Sequence, residues 1–303
     1  MHQQRTIAEK VSCTGVGLHT GVPVQLTMHP MRANSGVVFV RRHSGRGMET
    51  VARSSAVTST SHATTLGTGL ASVSTVEHLL AALYAFGVDN VRIEIDGPEV
   101  PAMDGSAAPF VYLIRSAGIF VQPEPSAVMR LRSTIEVSDG ERHIRIEPAS
   151  QFRISYAIDF EHPAIGRQEL ALPKVSPQIF EREIARSRTF GFLAEVQALR
   201  QAGLALGGSL KNSIVLDSKR VINSGGLRWR DEFVRHKVLD LLGDLSLLGL
   251  RLKGHVVVER GGHALHQRLV KEILARPEAW TIQGPVAGWQ RGLDVEPPAA
   301  SPA

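Results

Sequence analysis

The order of strand-like and helix-like segments repeats along this chain of 303 residues, and the repetition constrains the fold more than any other feature. Alternating apolar residues predict strands, and apolar residues three and four apart predict helices. The first pass contains short strands within residues 5–60, a helix over 74–86, a strand over 90–95 and a helix over 107–117. After Pro123-Glu124-Pro125, the second pass contains strands over 127–137, 142–148 and 152–158, helices over 177–186 and 193–202, a strand over 213–216, a helix over 231–248, a strand over 254–259 and a helix over 264–276.

Two successive strand-then-helix units predict an α+β fold with two domains of related design. We expect the N-terminal domain to span residues 1–124 and the C-terminal domain to span residues 127–284, joined at the Pro-Glu-Pro segment. Residues 285–303 are rich in proline and alanine, so a disordered tail is expected there.

Composition excludes several kinds of protein and of site. Cys13 is the only cysteine, so neither an internal disulfide nor a zinc site built from several thiolates can form. Any metal ion must therefore be held by histidine and carboxylate side chains. No apolar run approaches the ~20 residues that span a bilayer, and there is no secretory signal, so we expect a cytoplasmic protein without stable membrane insertion. The net charge of +5 comes from scattered residues, which argues against a nucleic-acid partner.

The predicted helix over 231–248 carries one polar stripe within an apolar sequence. His236, Asp240, Gly243 and Asp244 fall at i, i+4, i+7 and i+8, which places an imidazole and two carboxylates side by side. A histidine and an aspartate four residues apart on one helical face can chelate a metal ion. The alternative is a solvated helix face with an ordinary His–Asp pair, and the spacing alone leaves both interpretations open.

A second candidate lies at the start of the helix over 74–86, where Glu77 and His78 are adjacent. A catalytic zinc site needs three protein ligands and an open position for water, and a neighbouring carboxylate can serve as a base. However, Ser74 and Glu77 also have the spacing of a capping box, which would give Glu77 a structural role. His78 could equally be an imidazole at the edge of the core.

Two further segments carry polar side chains with more than one interpretation. His263 follows two glycines at the start of a predicted helix, where a protonated imidazole is disfavoured unless a carboxylate compensates. A helix-capping role would explain it as well. Thr189 lies between Arg188 and two phenylalanines, and a hydroxyl-mediated turn is the simplest account of it.

In combination, these segments resemble the UDP-3-O-acyl-N-acetylglucosamine deacetylase family, which commits precursors to lipid A. The resemblance extends over nearly the whole chain, and the ordered set of motifs is specific although no single motif is decisive. The motifs are Gly15-Val16-Gly17-Leu18-His19-Thr20-Gly21, Ser74-Thr75-Val76-Glu77-His78-Leu79-Leu80, Met103-Asp104-Gly105-Ser106-Ala107, Arg188-Thr189-Phe190-Gly191-Phe192, Asp231-Glu232-Phe233-Val234-Arg235-His236-Lys237 and Gly262-His263-Ala264-Leu265. The family fold is two α/β sandwich domains of similar topology, with the active site at their interface.

The resemblance implies metal-dependent hydrolysis of the N-acetyl group of a UDP-linked acylated glucosamine. The ligands of a catalytic Zn²⁺ would be His78, His236 and Asp240, and this donor set would accept Fe²⁺ as well. Glu77 would act as general base, and His263 as general acid. Asp244 would pair with His263 and hold its charged form, which answers the question that a histidine at a helix start leaves open.

Other residues are implied as substrate contacts. Thr189 would donate to the oxyanion, and Lys237 would lie near the head group. Asp159 and Phe160 match the uracil position, and Arg260 suits a phosphate. Phe190 and Phe192 begin an apolar stretch, reaching Leu206, that either lines an acyl-chain passage or forms ordinary helix core. Leu18 and His19 of the glycine-rich segment are also expected to contact substrate.

Three alternatives to this deacetylase function can be compared with the sequence. A zinc hydrolase of another amide is possible, although the H-E-x-x-H pattern of common zinc peptidases is absent from the sequence. A basic nucleic-acid-binding α+β module would need a clustered basic face with stacking aromatics. A relative without activity would lack some of the matched catalytic positions, and all of them are filled. No sequence pattern indicates an oligomer, so we expect a monomer.

Overall fold

The computed structural model describes residues 3–285 and contains both sheets and helices, as expected for an α+β protein. The strands are β1 (Gln3–Ile7), β2 (Val11–Val16), β3 (Pro23–Pro30), β4 (Val37–His43), β5 (Arg46–Val51), β6 (Val57–Ser59), β7 (Thr65–Leu66), β8 (Val91–Ile95), β9 (Ile119–Pro125), β10 (Val128–Leu131), β11 (Ile135–Asp139), β12 (Arg142–Glu147), β13 (Phe152–Phe160), β14 (Gly166–Leu172), β15 (Phe190–Phe192), β16 (Ile214–Leu216), β17 (Arg251–Glu259) and β18 (Trp280–Gln283). The α-helices are α1 (Glu77–Phe86), α2 (Ala108–Ala117), α3 (Pro177–Ile179), α4 (Leu193–Gln201), α5 (Glu232–Ser246) and α6 (His263–Ala275).

The first large sheet has the strand order β2-β3-β8-β4-β5. Strands β4 and β8 run parallel, and the other neighbours are antiparallel. Alternation in the sequence sets which face is buried: Val24, Leu26 and Met28 of β3 point into the core, while the residues between them are more exposed. Helix α1 precedes β8 in the chain and α2 follows it, and both pack their apolar residues into the same core.

The second large sheet contains the series β11-β12-β17-β13-β14. Strands β13 and β17 are parallel, and the other neighbours in the series are antiparallel. Strand β10 extends the sheet by pairing with the start of β17 and with β18. Helix α5 precedes β17 in the chain and α6 follows it. Strand β17 therefore corresponds to β8 of the first sheet: each strand lies between two helices in sequence and, within its five-strand series, pairs with one antiparallel and one parallel strand.

Helices α1 and α5, one from each half of the chain, are in direct contact. Twelve of the fifteen residues of α5 are buried, so this helix is enclosed on nearly every side. Gly243 permits the approach, because a Cβ atom at this position would lie 2.2 Å from the Glu77 carbonyl oxygen. The beginning of α1 therefore lies against the middle of α5.

Several predicted elements differ from the structure. The helix predicted from residue 74 begins at Glu77, and the strand predicted over 127–137 is two strands, β10 and β11. The helix predicted over 177–186 is the three-residue α3 followed by a π-helical turn, Phe180–Ile184. Strands β7, β9, β14, β15 and β18 have no counterpart among the predicted elements.

The Pro123-Glu124-Pro125 segment was predicted to break the pattern, but it lies within β9, which pairs with β1. Prolines are tolerated there because β9 belongs to a two-stranded sheet, where many backbone N–H groups need no strand partner.

The remaining expectations concern the membrane and the tail. Between residues 3 and 285, no helix has the length and apolar character required to cross a membrane. The predicted disordered tail, 285–303, lies outside the described residues apart from Pro285.

Candidate active site

The centre of the candidate site is a buried group of two histidines and an aspartate. His78 comes from α1, whereas His236 and Asp240 come from successive turns of α5. The Nε2 atom of His236 lies 3.3 Å from Oδ1 of Asp240, and Nε2 of His78 lies 3.7 Å from the same oxygen. All three residues are at most 6 % exposed, so the solvated-face interpretation of the α5 stripe is wrong. The arrangement is one that could hold a metal ion.

The protonation state of His236 suits a metal ligand. Burial is the largest influence and lowers the pKa of His236 to about 4, so its imidazole is neutral near pH 7. Its Nδ1 atom lies 3.1 Å from the Ser187 carbonyl oxygen, which can only accept a hydrogen bond. The proton therefore resides on Nδ1, and the lone pair of Nε2 faces His78 and Asp240.

Asp240 is ionised within this cluster. Burial alone would raise the pKa of its carboxyl group, but attraction to His236 and Lys237 outweighs burial and holds that pKa well below its ordinary value. The Lys237 ammonium donates to Oδ2 of Asp240 over 2.9 Å and lies 5.7 Å from the centre of the Phe190 ring. Lys237, predicted near the substrate head group, thus lies beside the metal-binding cluster as well as beside a neighbouring cavity.

Glu77 is also buried, and its neighbours give it no capping role. Helix α1 has Val76 as its N-cap, without a side-chain cap, and the Ser74 hydroxyl donates to the Pro98 carbonyl oxygen instead. The capping-box interpretation of Ser74 and Glu77 is therefore wrong. Oε2 of Glu77 accepts a hydrogen bond from the Thr64 backbone N–H over 3.1 Å. Burial raises the pKa of the Glu77 carboxyl group despite the nearby His263 and His78, so this carboxylate binds a proton more readily than an exposed glutamate does.

His263 begins α6 and pairs with Asp244 of α5. The His263 Nδ1 atom donates to Oδ2 of Asp244 over 2.8 Å, so the side chain does not cap its own helix. Burial lowers the pKa of His263, but attraction to Asp244 and the hydrogen bond between them reverse this and raise it to about 9. The Nε2 atom of His263 lies 4.0 Å from Oδ2 of Asp240. A protonated imidazole thus adjoins the metal-binding cluster.

Four residues that the sequence analysis did not identify complete the cluster. They are Thr64, Tyr156, Ser187 and His266. Thr64 connects two carboxylates, because its hydroxyl donates to Asp244 over 2.6 Å while its N–H donates to Glu77. His266 follows His263 at i+3 on α6, and this spacing is the one sequence signal that could have identified a second inward-facing imidazole. Thr64 lies in an irregular polar segment that carries no such signal.

Thr189 and the two phenylalanines after it form one rim of the site. The Thr189 N–H donates to the Gly105 carbonyl oxygen, and its own carbonyl oxygen accepts from the Ile214 N–H, each over 2.8 Å. The Phe190 ring centre lies 6.3 Å from that of His236 and 5.8 Å from that of Phe160. Phe192 lies 6.0 Å from Phe160. The predicted uracil and acyl-chain contacts therefore share one aromatic cluster.

A cavity of about 560 Å³ adjoins this rim. Its lining includes four of the predicted substrate contacts, Asp159, Phe160, Lys237 and Arg260. Arg260 donates to Oδ2 of Asp159 over 2.6 Å and is also paired with Glu141. The cavity thus combines cationic, anionic and aromatic groups beside the metal-binding cluster.

Leu18 and His19 lie in a loop that contacts a different segment. The backbone carbonyl oxygens of Leu18 and His19 accept from the N–H groups of Gly207 and Leu206. Within residues 3–285, the hydrogen bonds of Leu18 and His19 also include one from the His19 N–H to Glu99. None of them is made with His78, His236 or Asp240. Helix α4, which leads towards Leu206, has no buried residue, so the ordinary-core interpretation is wrong for this helix, whereas Phe190 and Phe192 pack partly buried against the core.

Comparisons with known proteins show which proteins this chain resembles. Residues 4–275 match the model of a family described as UDP-3-O-acyl N-acetylglycosamine deacetylase. A UDP-3-O-acyl-N-acetylglucosamine deacetylase of Myxococcus xanthus is 48% identical over 281 residues, which cover 93% of this chain and 89% of the relative. Proteins of the same name from Anaeromyxobacter dehalogenans, 48% identical over 92% of this chain and 90% of the relative, and from Wolinella succinogenes, 46% identical over 92% and 93%, are also similar.

Proposed function

Because this chain belongs to the UDP-3-O-acyl-N-acetylglucosamine deacetylase family, it is an amide hydrolase of lipid A biosynthesis, and we propose that the buried cluster around Asp240 performs the hydrolysis. The amide bond between the acetyl group and the glucosamine nitrogen breaks, which yields acetate and a free amine. The observation that carries this assignment is the convergence of a metal-binding triad, a buried carboxylate and a protonated imidazole within one site.

The residues present fit a divalent metal ion. Two imidazoles and one carboxylate are a common ligand set of catalytic Zn²⁺, and the same set accepts Fe²⁺. His78, His236 and Asp240 would hold the ion, and the Ser187 carbonyl fixes the tautomer that His236 needs for binding. When bound, such an ion polarises the amide carbonyl and lowers the pKa of the attacking water to about 7.

The neighbouring side chains supply the proton transfers. Glu77 accepts a proton from the attacking water, and its raised pKa makes it a better proton acceptor than an ordinary carboxylate. His263 carries a proton at neutral pH and gives it to the leaving amine nitrogen, while Asp244 keeps the imidazole charged and oriented. Thr189 donates a hydrogen bond to the carbonyl oxygen as negative charge develops on it. Removal of such a donor typically reduces the rate by about 10²–10³.

We assign the cavity beside the cluster to the UDP group of the substrate. Phe160 stacks its ring on uracil, and Asp159 accepts a hydrogen bond from the uracil N–H. Lys237 and Arg260 attract the diphosphate. Arg260→Ala should therefore raise KM by about tenfold or more with kcat changed less, since a lost charged hydrogen bond costs ~1.5–3 kcal/mol. An unchanged KM would place the diphosphate elsewhere.

The acyl chain lies along the apolar surface from Phe190 and Phe192 to Leu206. Helix α4 supports this assignment because all of its residues remain accessible, and Leu193 is 37% exposed. The backbone hydrogen bonds of Leu18 with Gly207 and of His19 with Leu206 support the assignment of both residues to the same surface. Leu206→Asp should raise KM for the acylated substrate and leave KM for a substrate without the acyl chain unchanged.

The decisive experiment measures acetate release from the UDP-linked substrate, with and without a chelator. We expect turnover by the metal-loaded enzyme, loss of turnover after chelation, and recovery with Zn²⁺ or Fe²⁺. Acetate release from a simple acetylated amine at a comparable kcat/KM would point instead to a hydrolase of other amides. Full turnover by the metal-free protein would overturn the metal assignment.

We also propose that the two sheet-and-helix units arose by duplication and form domains of residues 1–124 and 127–284, with the active site at their interface. The matching strand series and the matching positions of α1 and α5 support this proposal. If it is correct, β2-β3-β8-β4-β5 and its helices should superpose on β11-β12-β17-β13-β14 in an experimental structure. A cytoplasmic location and a monomeric state stay predictions, which cell fractionation and sedimentation equilibrium can test.

A further inference from the structure

We propose that Tyr156 and His266 are positioning residues for the hydrolysis and hold Asp244 in the orientation in which it supports His263. The inference rests on the proposed function, in which His263 is the general acid. It adds two side chains, from β13 and from α6, to the groups that determine the geometry of the site.

The four side chains form one continuous series of hydrogen bonds. The Tyr156 hydroxyl lies 3.1 Å from Nε2 of His266, and Nδ1 of His266 lies 2.8 Å from Oδ2 of Asp244. The same oxygen is 2.8 Å from Nδ1 of His263. Oδ2 of Asp244 thus accepts hydrogen bonds from two imidazoles, and Oδ1 accepts one from the Thr64 hydroxyl.

The direction of each hydrogen bond follows from chemistry. Asp244 is ionised, since its pairing with His263 and His266 holds its pKa well below the ordinary value despite burial, so its oxygens only accept. His266 must therefore carry a proton on Nδ1. Burial lowers the pKa of His266, which leaves the imidazole neutral and its Nε2 a lone-pair acceptor. Tyr156 must then be the donor, and burial keeps its hydroxyl protonated.

The backbone makes room for the Tyr156–His266 contact. A Cβ atom on Gly261 would lie 2.5 Å from the Tyr156 hydroxyl oxygen and 3.0 Å from Nε2 of His266. Glycine at this position is therefore required for the two polar atoms to meet. Gly261 lies two residues before His263, so the same short segment admits the hydrogen bond and begins the helix that carries the general acid.

Burial distinguishes this series from ordinary polar packing. Tyr156 is 2 % exposed, whereas His266 and Asp244 are fully buried, so water cannot replace a lost partner. Without the Tyr156 hydroxyl, Nε2 of His266 has no donor and the imidazole can adopt its other tautomer. Nδ1 would then no longer donate to Asp244, and the carboxylate could rotate away from His263.

The first test compares kcat and KM for Tyr156→Phe with those of the wild-type enzyme, both loaded with metal. We expect kcat to fall about tenfold while KM changes less than twofold, because the substrate is not contacted. Tyr84→Phe is the matched control, since Tyr84 is partly buried against the core and its hydroxyl accepts from the Leu252 N–H instead of donating to a side chain of this series. We expect its kcat to be unchanged. An equal loss in both variants would reduce the Tyr156 effect to packing and overturn the inference.

The second test asks whether Tyr156 acts through Asp244. In an Asp244→Asn background, which has a lower residual activity, Tyr156→Phe should reduce kcat by less than twofold further. A full tenfold further loss would show that Tyr156 acts independently of Asp244 and would contradict the inference.

The third test uses only the wild-type enzyme and so does not depend on the folding of a variant. Nitrogen-15 NMR of wild-type enzyme with labelled histidine should show the His266 imidazole protonated on Nδ1 and unprotonated on Nε2, and the opposite tautomer would overturn the inference. These outcomes are distinguishable from failure of the proposed function. If the proposed function were wrong, the metal-loaded wild-type enzyme would itself release no acetate.

Discussion

Gly243 of α5 faces the backbone of Glu77 so closely that a Cβ atom would lie 2.2 Å from the Glu77 carbonyl oxygen and 2.8 Å from its Cα atom. The close approach places the first turn of α1 against the turn of α5 that follows Asp240. His78 is the next residue after Glu77, so the same contact determines how far His78 lies from its two partners on α5. One glycine therefore links helix packing to the metal-binding geometry.

We predict that Gly243→Ala destabilises the protein by ~1–3 kcal/mol, although alanine favours a helix by about 1 kcal/mol over glycine. The cost prevails because the added methyl group meets backbone atoms, which cannot rotate away. The displaced helix should also weaken metal binding. Denaturant unfolding and the metal content of the purified variant measure the two effects.

Gly225→Ala is the matched control for this prediction. A Cβ atom at Gly225 would have no neighbour within 4 Å, so the free energy of unfolding should change by no more than ~0.5 kcal/mol. If Gly243→Ala behaved in the same way and retained its metal, the close contact would not determine the geometry of the site.

Periodicity and spacing predicted the parts of the site that lie on regular helices. His236, Asp240 and Asp244 follow helical spacing, so their common face was predictable, and the structure adds that this face is buried. The partner across the helix interface was not predictable from spacing, because the packing of α1 on α5 depends on Gly243 and on sheets distant in sequence. The family resemblance, not periodicity, joined His78 to the other two residues.

Glu77→Gln should abolish most turnover and preserve the metal. Glutamine has the same size and its amide oxygen can still accept from the Thr64 N–H, but it cannot accept a proton from water. Loss of a general base typically reduces the rate by about 10²–10⁴. Steady-state kinetics and metal analysis on the same preparation check both parts, and loss of the metal together with activity would indicate a structural role for Glu77.

Ser74→Ala tests the role that the structure removes from Glu77. If Ser74 and Glu77 formed a capping box, the substitution would cost ~0.5–2 kcal/mol of stability. Since the Ser74 hydroxyl instead donates to Pro98 over 3.3 Å and α1 has no side-chain cap, we expect a loss below ~0.5 kcal/mol. Thermal unfolding of this variant beside Glu77→Gln separates the two roles.

The alkaline limit of activity should report the pairing of His263 with Asp244. Burial lowers the pKa of His263, but Asp244 raises it to about 9, so the imidazole carries its proton below that pH. A general acid acts only when protonated, and turnover should therefore fall as pH rises through about 9. The stabilisation that the pair gives to the fold has the same sign, since it is complete below the ordinary histidine pKa of about 6.5 and is lost as pH rises through about 9.

Asp244→Asn should move this alkaline limit to lower pH, because the carboxylate that attracts the proton is gone. Asp89→Asn is the control: Asp89 is a half-buried carboxylate that pairs with Arg251, whereas His263 pairs with Asp244. Its removal should leave the limit in place. Identical pH profiles for wild type and Asp244→Asn would assign the alkaline limb to another group.

Irregular segments account for most of what the sequence did not predict. Thr64 contributes its backbone N–H and its hydroxyl, and Ser187 contributes its backbone carbonyl oxygen. Both residues lie in loops, where no periodic pattern in the sequence identifies such groups. Pro123-Glu124-Pro125 indicated a break, yet tertiary pairing with β1 makes it part of a strand. In both cases long-range contacts determine the local conformation.

Metal removal should lower stability as well as activity, because the ion binds the folded state and the unfolded chain has no preformed site. At a free metal concentration a thousandfold above Kd, the bound ion contributes ~4 kcal/mol to the free energy of unfolding, and chelation should remove this contribution. His236→Ala should abolish both the metal and the chelator effect. His255→Ala is the control, since His255 bonds to Ser155 on the second sheet and is not part of the group of His78, His236 and Asp240. It should retain one metal ion per chain and the full response to chelator. If His255→Ala lost the metal and His236→Ala kept it, the ion would bind outside the α1–α5 interface.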